Sequence, residues 1–299
     1  MRGPNIASVD VEDYFHVEAF ARVIDRAQWS EYTPRVEANT RRLLDLFDES
    51  HVHGTFFVLG WVAERFPGLV REIVARGHEP ACHSYWHRLI YTLTPEEFRQ
   101  DTARAKSAIE DACGRPVTGY RAPSFSITHQ SRWALEILVE SGFQYDSSVF
   151  PVSHDVYGVP DAPRGPFVVT TASGPIIEYP MTTFRIAFGR NVVGPNLPVG
   201  GGGYLRLLPA WYTRWGVHRA WREGLPVISY VHPWEVDPEQ PRVSAPFKSR
   251  LRHYTNLNKT GDRLHELFAL GEFGPFQGSS LAAQAGVYEF LPAVPESAS

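Results

Sequence analysis

The feature that most constrains this chain is a rhythm. Short, unbroken apolar runs alternate with longer stretches whose apolar residues recur every three or four positions. A strand covered on both faces reads as a continuous apolar run, and its alternation with amphipathic helices is the pattern of βα units around a mainly parallel sheet. NIASVDV (5–11), GTFFVLG (54–60) and EPACHS (79–84) are strand segments of the first half, TGYRAPSFS (118–126) is a fourth strand with its loop, and QYDSSVF (144–150) is a fifth strand end. Stretches 36–50, 63–77, 95–114 and 129–142 are the intervening helices. Gly77 ends the second, while Thr94, Pro95 and Glu97 predict a capped start for the third. From about 151 to 208 the rhythm gives way to Pro, Gly and short β-like pieces such as FVVTTASGPIIEYPM, which read as an irregular, β-rich insertion. The glycine run 200–203 implies backbone freedom or close approach. A helix over 209–224, a strand over 226–236 and a closing helix over 258–273 restore the pattern. The expected organisation is a single domain over residues 1–285 and a tail, 286–299, without internal repeats.

In a parallel α/β fold the loops after the strands open to one side, so polar residues at strand ends converge. Asp10, Glu12, His83, Arg121, Asp146 and His232 all occupy such ends. His83 and His87 are spaced to reach one metal ion from adjacent turns or from a strand end, though the same spacing also suits a packed and a surface histidine. The motif HExxH, which carries its own base, is absent: Ser84 stands where the glutamate would be. Strand alternation puts Asp10 and Glu12 on one face, with Val9 and Val11 packed behind. Two carboxylates at the end of an apolar strand are costly without a cation or hydrogen bonds. Arg121 offers a planar donor fork that could hold Asp10, and His232 places a titratable ring beside Trp234.

Composition narrows the partner. The formal net charge is −4, with Lys and Arg spread along the chain, which argues against a nucleic acid or an anionic membrane surface. Only Cys82 and Cys113 are present, too few to staple a chain of 299 residues. Acidic residues interrupt the place where a signal peptide would need its apolar run, and no window is apolar enough for a membrane span. The expectation is a chain on the cytoplasmic side.

Taken in order, SVDVEDYF, HSYWH, RAPSF, YDSSVF and VHPWE resemble the motifs of the NodB-homology polysaccharide deacetylases, carbohydrate esterase family 4. DVEDYFHV, GGGYLRLLP and HPWE look like the branch found with bacterial exopolysaccharide and exosortase (PEP-CTERM) systems. The resemblance covers roughly residues 5–240 and implies a distorted (β/α) barrel carrying the β-rich insertion. It also implies a hydrolase that removes N-acetyl groups from amino sugars of a poly- or oligosaccharide with a divalent metal, zinc first. On this resemblance Asp10 is the general base, His83 and His87 are metal ligands, Arg121 orients Asp10 and His232 is the general acid. Where the usual motif has a second aspartate as ligand, this chain has Val11; Glu12 is the expected third ligand and Asp13 the fallback. Ser124 replaces the usual aromatic after Arg-x-Pro, its backbone N–H still a possible oxyanion donor. The Asp146 segment lacks the family's tryptophan. Phe125, Trp86 and Trp234, with Tyr14, Phe15 and Tyr204, are candidates to stack on sugar rings.

Three other readings stay open. Non-haem iron oxygenases also use two histidines and a carboxylate, but usually on β scaffolds with a His-x-carboxylate pair. An amidohydrolase of the same fold could take a small cyclic amide. A glycan-binding protein could keep the fold and lose the reaction, although base, ligands and acid are all present here.

Overall fold

The computed structural model describes residues 5–188 and 192–288; the end of the expected tail, 289–299, lies outside them. Strand β1 (Asn5–Val11) is buried at every position, as its unbroken apolar run requires. It is flanked by β2 (Thr55–Val58) and β10 (Ile228–Val231), both parallel to it. Beyond β2 follow β3 (Glu79–Cys82), β4 (Gly119–Tyr120) and β5 (Tyr145–Asp146). The hairpin of β6 (Phe167–Thr171) and β7 (Gly174–Glu178) extends the sheet, β7 pairing parallel with β5. β12 (Gly286–Val287) adds to β6, and β11 (Phe273–Gly274) pairs with the start of β1. The region expected as an insertion is therefore only partly apart. One of its hairpins continues the main sheet, and β8 (Thr183–Phe188) with β9 (Val192–Pro198) forms a separate two-stranded sheet.

Helices α1 (Val36–Glu49), α4 (Pro95–Cys113) and α5 (Ala134–Glu140) cover the outside, as their periodicity predicts. The Thr94–Glu97 capping box is formed: each residue's side chain bonds the other's backbone N–H. The helix expected over 63–77 is instead two, α2 (Gly60–Arg65) and α3 (Pro67–Ala75). Pro67 has no N–H to continue α2 and forces Phe66 out of helical geometry, to φ −125° and ψ 55°. Proline also shortens the strand expected over 226–236 and shapes the loop expected after β4. Past β4 and β10 the chain turns through 3₁₀ segments Pro123–Phe125 and Pro233–Val236, and these turns carry site residues. Helices α6 (Gly202–Leu207), α7 (Ala210–Arg222), α8 (Phe247–Tyr254) and α9 (Thr260–Phe268) complete the molecule.

Two cores result. One lies between sheet and helices and includes Phe47, Phe56 and Phe98. The other fills the barrel interior with Ile6, Phe57, Tyr145, Ile228 and Phe276. The outer edge of β10 meets Thr182, whose Oγ1 accepts the Ile228 N–H at 2.6 Å, and a single bridge to Gly201, so the sheet curls without regular closure. That contact accounts for the glycine run: a Cβ on Gly201 would lie 2.0 Å from the Tyr230 ring, and Gly202 has φ +45°.

Candidate active site

Asp10 leaves β1 near its C-terminal end, but Glu12 lies beyond the strand. Its N–H donates to Asp10 O at 3.0 Å, a tight turn that brings both carboxylates to one cleft. The shared face expected from strand alternation is thus produced by a turn, while Val11 remains in the core. Asp13 is committed elsewhere. Its carboxylate accepts the N–H groups of Tyr14, Arg35 and Val36, capping the start of α1.

His83 follows β3, and His87 stands on an irregular loop rather than on a helix. Ser84 and His87 have positive φ, 62° and 50°, a conformation that needs support from its surroundings. Asp101 supplies it by accepting Tyr85 N–H at 2.7 Å and Trp86 N–H at 3.3 Å, and Arg26 donates to the carbonyls of Trp86 and His87. Sequence reading missed both supports, because a loop's partners lie far away along the chain. Nδ1 of His83 is 2.8 Å from Arg121 O; protonated there, it leaves Nε2 bare toward the cleft. His87 Nε2 is 2.8 Å from Glu12 Oε2. Ligand-capable atoms of Glu12, His83 and His87 lie within 4.8 Å of one another, all buried. His87 Nδ1 has no hydrogen-bond partner among the described residues, and Glu12 Oε2 meets only the His87 ring. Burial opposes a charge on Glu12, yet the neighbouring His87, His232 and His83 rings hold its carboxyl far below the usual range. Burial pushes His83 down to about 4, so its ring is neutral and able to donate a lone pair. An anionic oxygen and two imidazole rings converging in a buried space fit a divalent cation.

Arg121 is fully buried beneath Asp10. It donates to Asp10 Oδ1 and Ser8 Oγ, each at 2.8 Å, and to Ser147 through its carbonyl and hydroxyl oxygens. Its guanidinium lies 4.1 Å above the Phe57 ring.

His232 faces the triad from the opposite wall, its Nε2 3.6 Å from Glu12 Oε1 and 3.8 Å from Asp10 Oδ2. Burial alone would lower its pKa, but Nδ1 bonds Glu235 at 2.6 Å, and with Glu12 and Asp10 nearby the ring is raised to about 9. Against its own burial, Glu235 is kept ionised, down to about 2, first by Arg206 at 2.5 Å and then by His232. Glu235 and Arg206 were not singled out from the sequence, although Glu235 stands three residues after His232 in the quoted HPWE. Trp234 stacks between His232 and His253, with centroids 5.1 and 4.1 Å away, and its Nε1–H donates to Glu12 Oε1 at 3.0 Å.

These groups floor a cleft of about 400 Å³, walled by Ser124, Phe125, Tyr157, Tyr204, Tyr230 and Trp234 among others. Ser124 and Phe125 sit in a turn with positive φ, 51° and 53°. Other candidates lie elsewhere. Asp146 is buried behind the cleft, accepting from Ser148 Oγ, whose oxygen in turn accepts the Ala122 N–H. Burial raises both Asp146 and Glu178, so the pair holds a proton between them. Trp86 packs against Trp29 outside the cleft lining, and Tyr14 and Phe15 are in the core with Tyr32. Aromatic residues are used here first to fill volume, which spacing alone does not reveal.

Residues 29–144 match the family model "Polysaccharide deacetylase", and residues 147–280 match a domain of unknown function, DUF3473. A peptidoglycan deacetylase from Helicobacter pylori is 32% identical over 113 residues, covering 38% of this chain and 38% of that protein. A chitooligosaccharide deacetylase from Bradyrhizobium sp. (strain ANU 289) is 30% identical over 102 residues, covering 34% and 44%. The matched regions therefore span less than half of these relatives. A crystal structure from Mycobacterium smegmatis, provisionally described as a polysaccharide deacetylase, superposes with a TM-score of 0.57 at 21% identity, covering 92% of this chain and 88% of that one. The shared fold is the distorted α/β barrel of the NodB type.

Proposed function

Residues 29–144 belong to the polysaccharide deacetylase family, and from that premise we propose that the chain is a metal-dependent hydrolase releasing acetate from N-acetylated amino sugars of a glycan. Its site joins groups before, within and after that segment, so residues 1–285 are taken as one catalytic unit. The observation that carries the reading is the buried Glu12, His83 and His87 cluster, open to a cleft that Asp10 and His232 also face. Zinc is the first choice for this donor set. The DUF3473 match is consistent with the exopolysaccharide-system branch, which makes a bacterial exopolysaccharide the preferred glycan.

A divalent cation held by Glu12, His83 and His87 would supply Lewis-acid polarisation of the amide carbonyl and make a water more acidic. Asp10, fixed by Arg121, accepts the proton of the attacking water. The backbone N–H near Ser124 donates to the developing oxyanion. His232, kept protonated by Glu235, gives its proton to the departing sugar nitrogen, so acetate and a free amine leave. Tyr157, Tyr204 and Trp234 line the cleft in which the sugar lies, Trp234 already stacked on His232 and His253 and Tyr157 on His154.

The test is metal content of the purified protein and of His83→Ala, together with acetate release from N-acetylglucosamine oligomers with and without chelator. Stoichiometric metal lost in the variant, with chelator-sensitive release, is expected. Metal without release from any N-acetylated glycan would overturn the substrate assignment and favour a small cyclic amide, or a glycan-binding role if glycan binds intact. A protein that never takes up metal would overturn the mechanism.

A further inference from the structure

Seven large apolar side chains are exposed among the described residues, and five of them lie on α6, α7 and α8. Two of these helices border the cleft: Tyr204 and Leu207 of α6 and Arg252 of α8 line it, and α7 follows α6 through Leu208 and Pro209. Phe247 is 75% exposed, Trp211 65% and Leu251 55%. Phe247 and Leu251 are one helical turn apart, as are Trp211 and Trp215, so each pair forms a ridge.

Cations stand beside these ridges. Helix α7 carries Arg214, Arg219 and Arg222, helix α8 carries Lys248, Arg250 and Arg252, and neither contains an acidic residue. The chain as a whole has a net charge of −4, so this surface runs against the balance of the molecule. Arg219 pairs with Glu223. The other five make no ion pair among the described residues. The spread of Lys and Arg along the sequence gave no reason to expect an affinity for an anionic surface; folding sets Arg252 into the cleft lining, with Lys248 and Arg250 on the same helix.

We propose that the α6–α7–α8 rim docks on the surface of an anionic phospholipid bilayer. Exposed Trp, Phe and Leu beside Lys and Arg are the composition that settles at the headgroup boundary, with rings in the interface and cations on phosphates. No helix among the described residues is long and apolar enough to cross a membrane, so contact would be peripheral. A second copy of the chain fits this face poorly, because a two-fold contact would oppose its cations to one another. A neutral glycan would gain nothing from them. Docking opens the cleft at the bilayer, where it meets glycans tethered to lipid; this last step rests on the deacetylase reading above.

The experiment is co-sedimentation of the full chain with vesicles of phosphatidylglycerol and phosphatidylcholine, and with phosphatidylcholine alone. Acetate release from soluble N-acetylglucosamine oligomers is measured in parallel. Binding is expected on the anionic vesicles only, weakening as salt rises. Lys248→Glu/Arg250→Glu should lose binding by about fivefold or more per charge removed, and Phe247→Ser/Trp211→Ser should also detach. Both variants should hydrolyse the soluble oligomer at the unaltered rate, which separates a docking defect from misfolding. Failure to bind anionic vesicles at low salt overturns the proposal, as does equal binding to phosphatidylcholine or self-association through this face in analytical ultracentrifugation. Vesicle binding by a protein that releases no acetate leaves docking standing and removes the hydrolase reading.

Discussion

His83 and His232 face one cleft from opposite walls, the first buried and the second half-buried, and their surroundings drive them apart. Burial takes His83 down to about 4, its Nδ1 meeting only the carbonyl of Arg121. At His232 the loss of solvent is overcome by Glu235 on Nδ1 and by Glu12 and Asp10 across the cleft, which raise it to about 9. A peptide dipole fixes a neutral donor, whereas a carboxylate fixes a cation. The difference shows that the partner of the second ring nitrogen, rather than depth, assigns ligand or acid.

Glu12 belongs to both walls, so Glu12→Gln should break the comparison most severely. It removes the anionic ligand and one of the charges that hold His232 protonated. Metal content should fall below stoichiometry and acetate release by about 10³-fold or more; metal analysis beside a turnover assay checks both. His232→Ala tests the acid wall alone. Turnover should drop on the order of 10²-fold with metal fully retained, and simultaneous loss of metal would show that the walls are not separable.

Glu235→Gln should turn His232 toward the behaviour of an ordinary imidazole. The acid works protonated, so the raised value keeps turnover high at neutral pH and lets it fall as pH rises through about 9. Without the carboxylate the alkaline limb should move to lower pH, with kcat reduced about tenfold near neutrality and KM little changed. A bound cation would neutralise the Glu12 contribution in both proteins, leaving Glu235 to set the difference. Stability follows the same sign: the folded value lies above the unfolded 6.5, so the pair's contribution is complete below that pH and lost as pH rises toward 9. Chelated wild type should therefore show a decline in denaturant midpoint across that window that is smaller in the variant, where only Glu12 and Asp10 remain to raise the ring.

The two walls were unequally legible in the sequence. Asp10, Glu12, His83 and His87 stand out by their spacing; β1 and β3 deliver Asp10 and His83, and the turns that follow bring in Glu12 and His87. The helix boundary at Pro67 and the turn at Pro233 were missed because an apolar pattern continues through each proline, whereas the loop at Pro123 was expected. Arg206 is 29 residues from Glu235 in the chain, and Asp101 is 16 from Tyr85, so neither partnership leaves a local signature. Trp86 and Trp234 look alike as candidates. Only packing distinguishes the ring against Trp29 from the ring between two histidines.

Trp234 gives the smallest and sharpest prediction. Its indole N–H donates to the Glu12 oxygen opposite the one beside His87, and its ring stacks under His232, so it touches both walls without carrying either role. Trp234→Phe keeps a ring for stacking and deletes the donor. Losing such an outer contact should weaken metal affinity by about tenfold, measured by competition with a chromophoric chelator. At saturating metal, turnover and its alkaline limb should stay near wild type, because Glu235 still holds His232. A shifted limb with unchanged metal affinity would mean that the indole acts through the acid instead, and the boundary between the walls would have to be redrawn around Trp234.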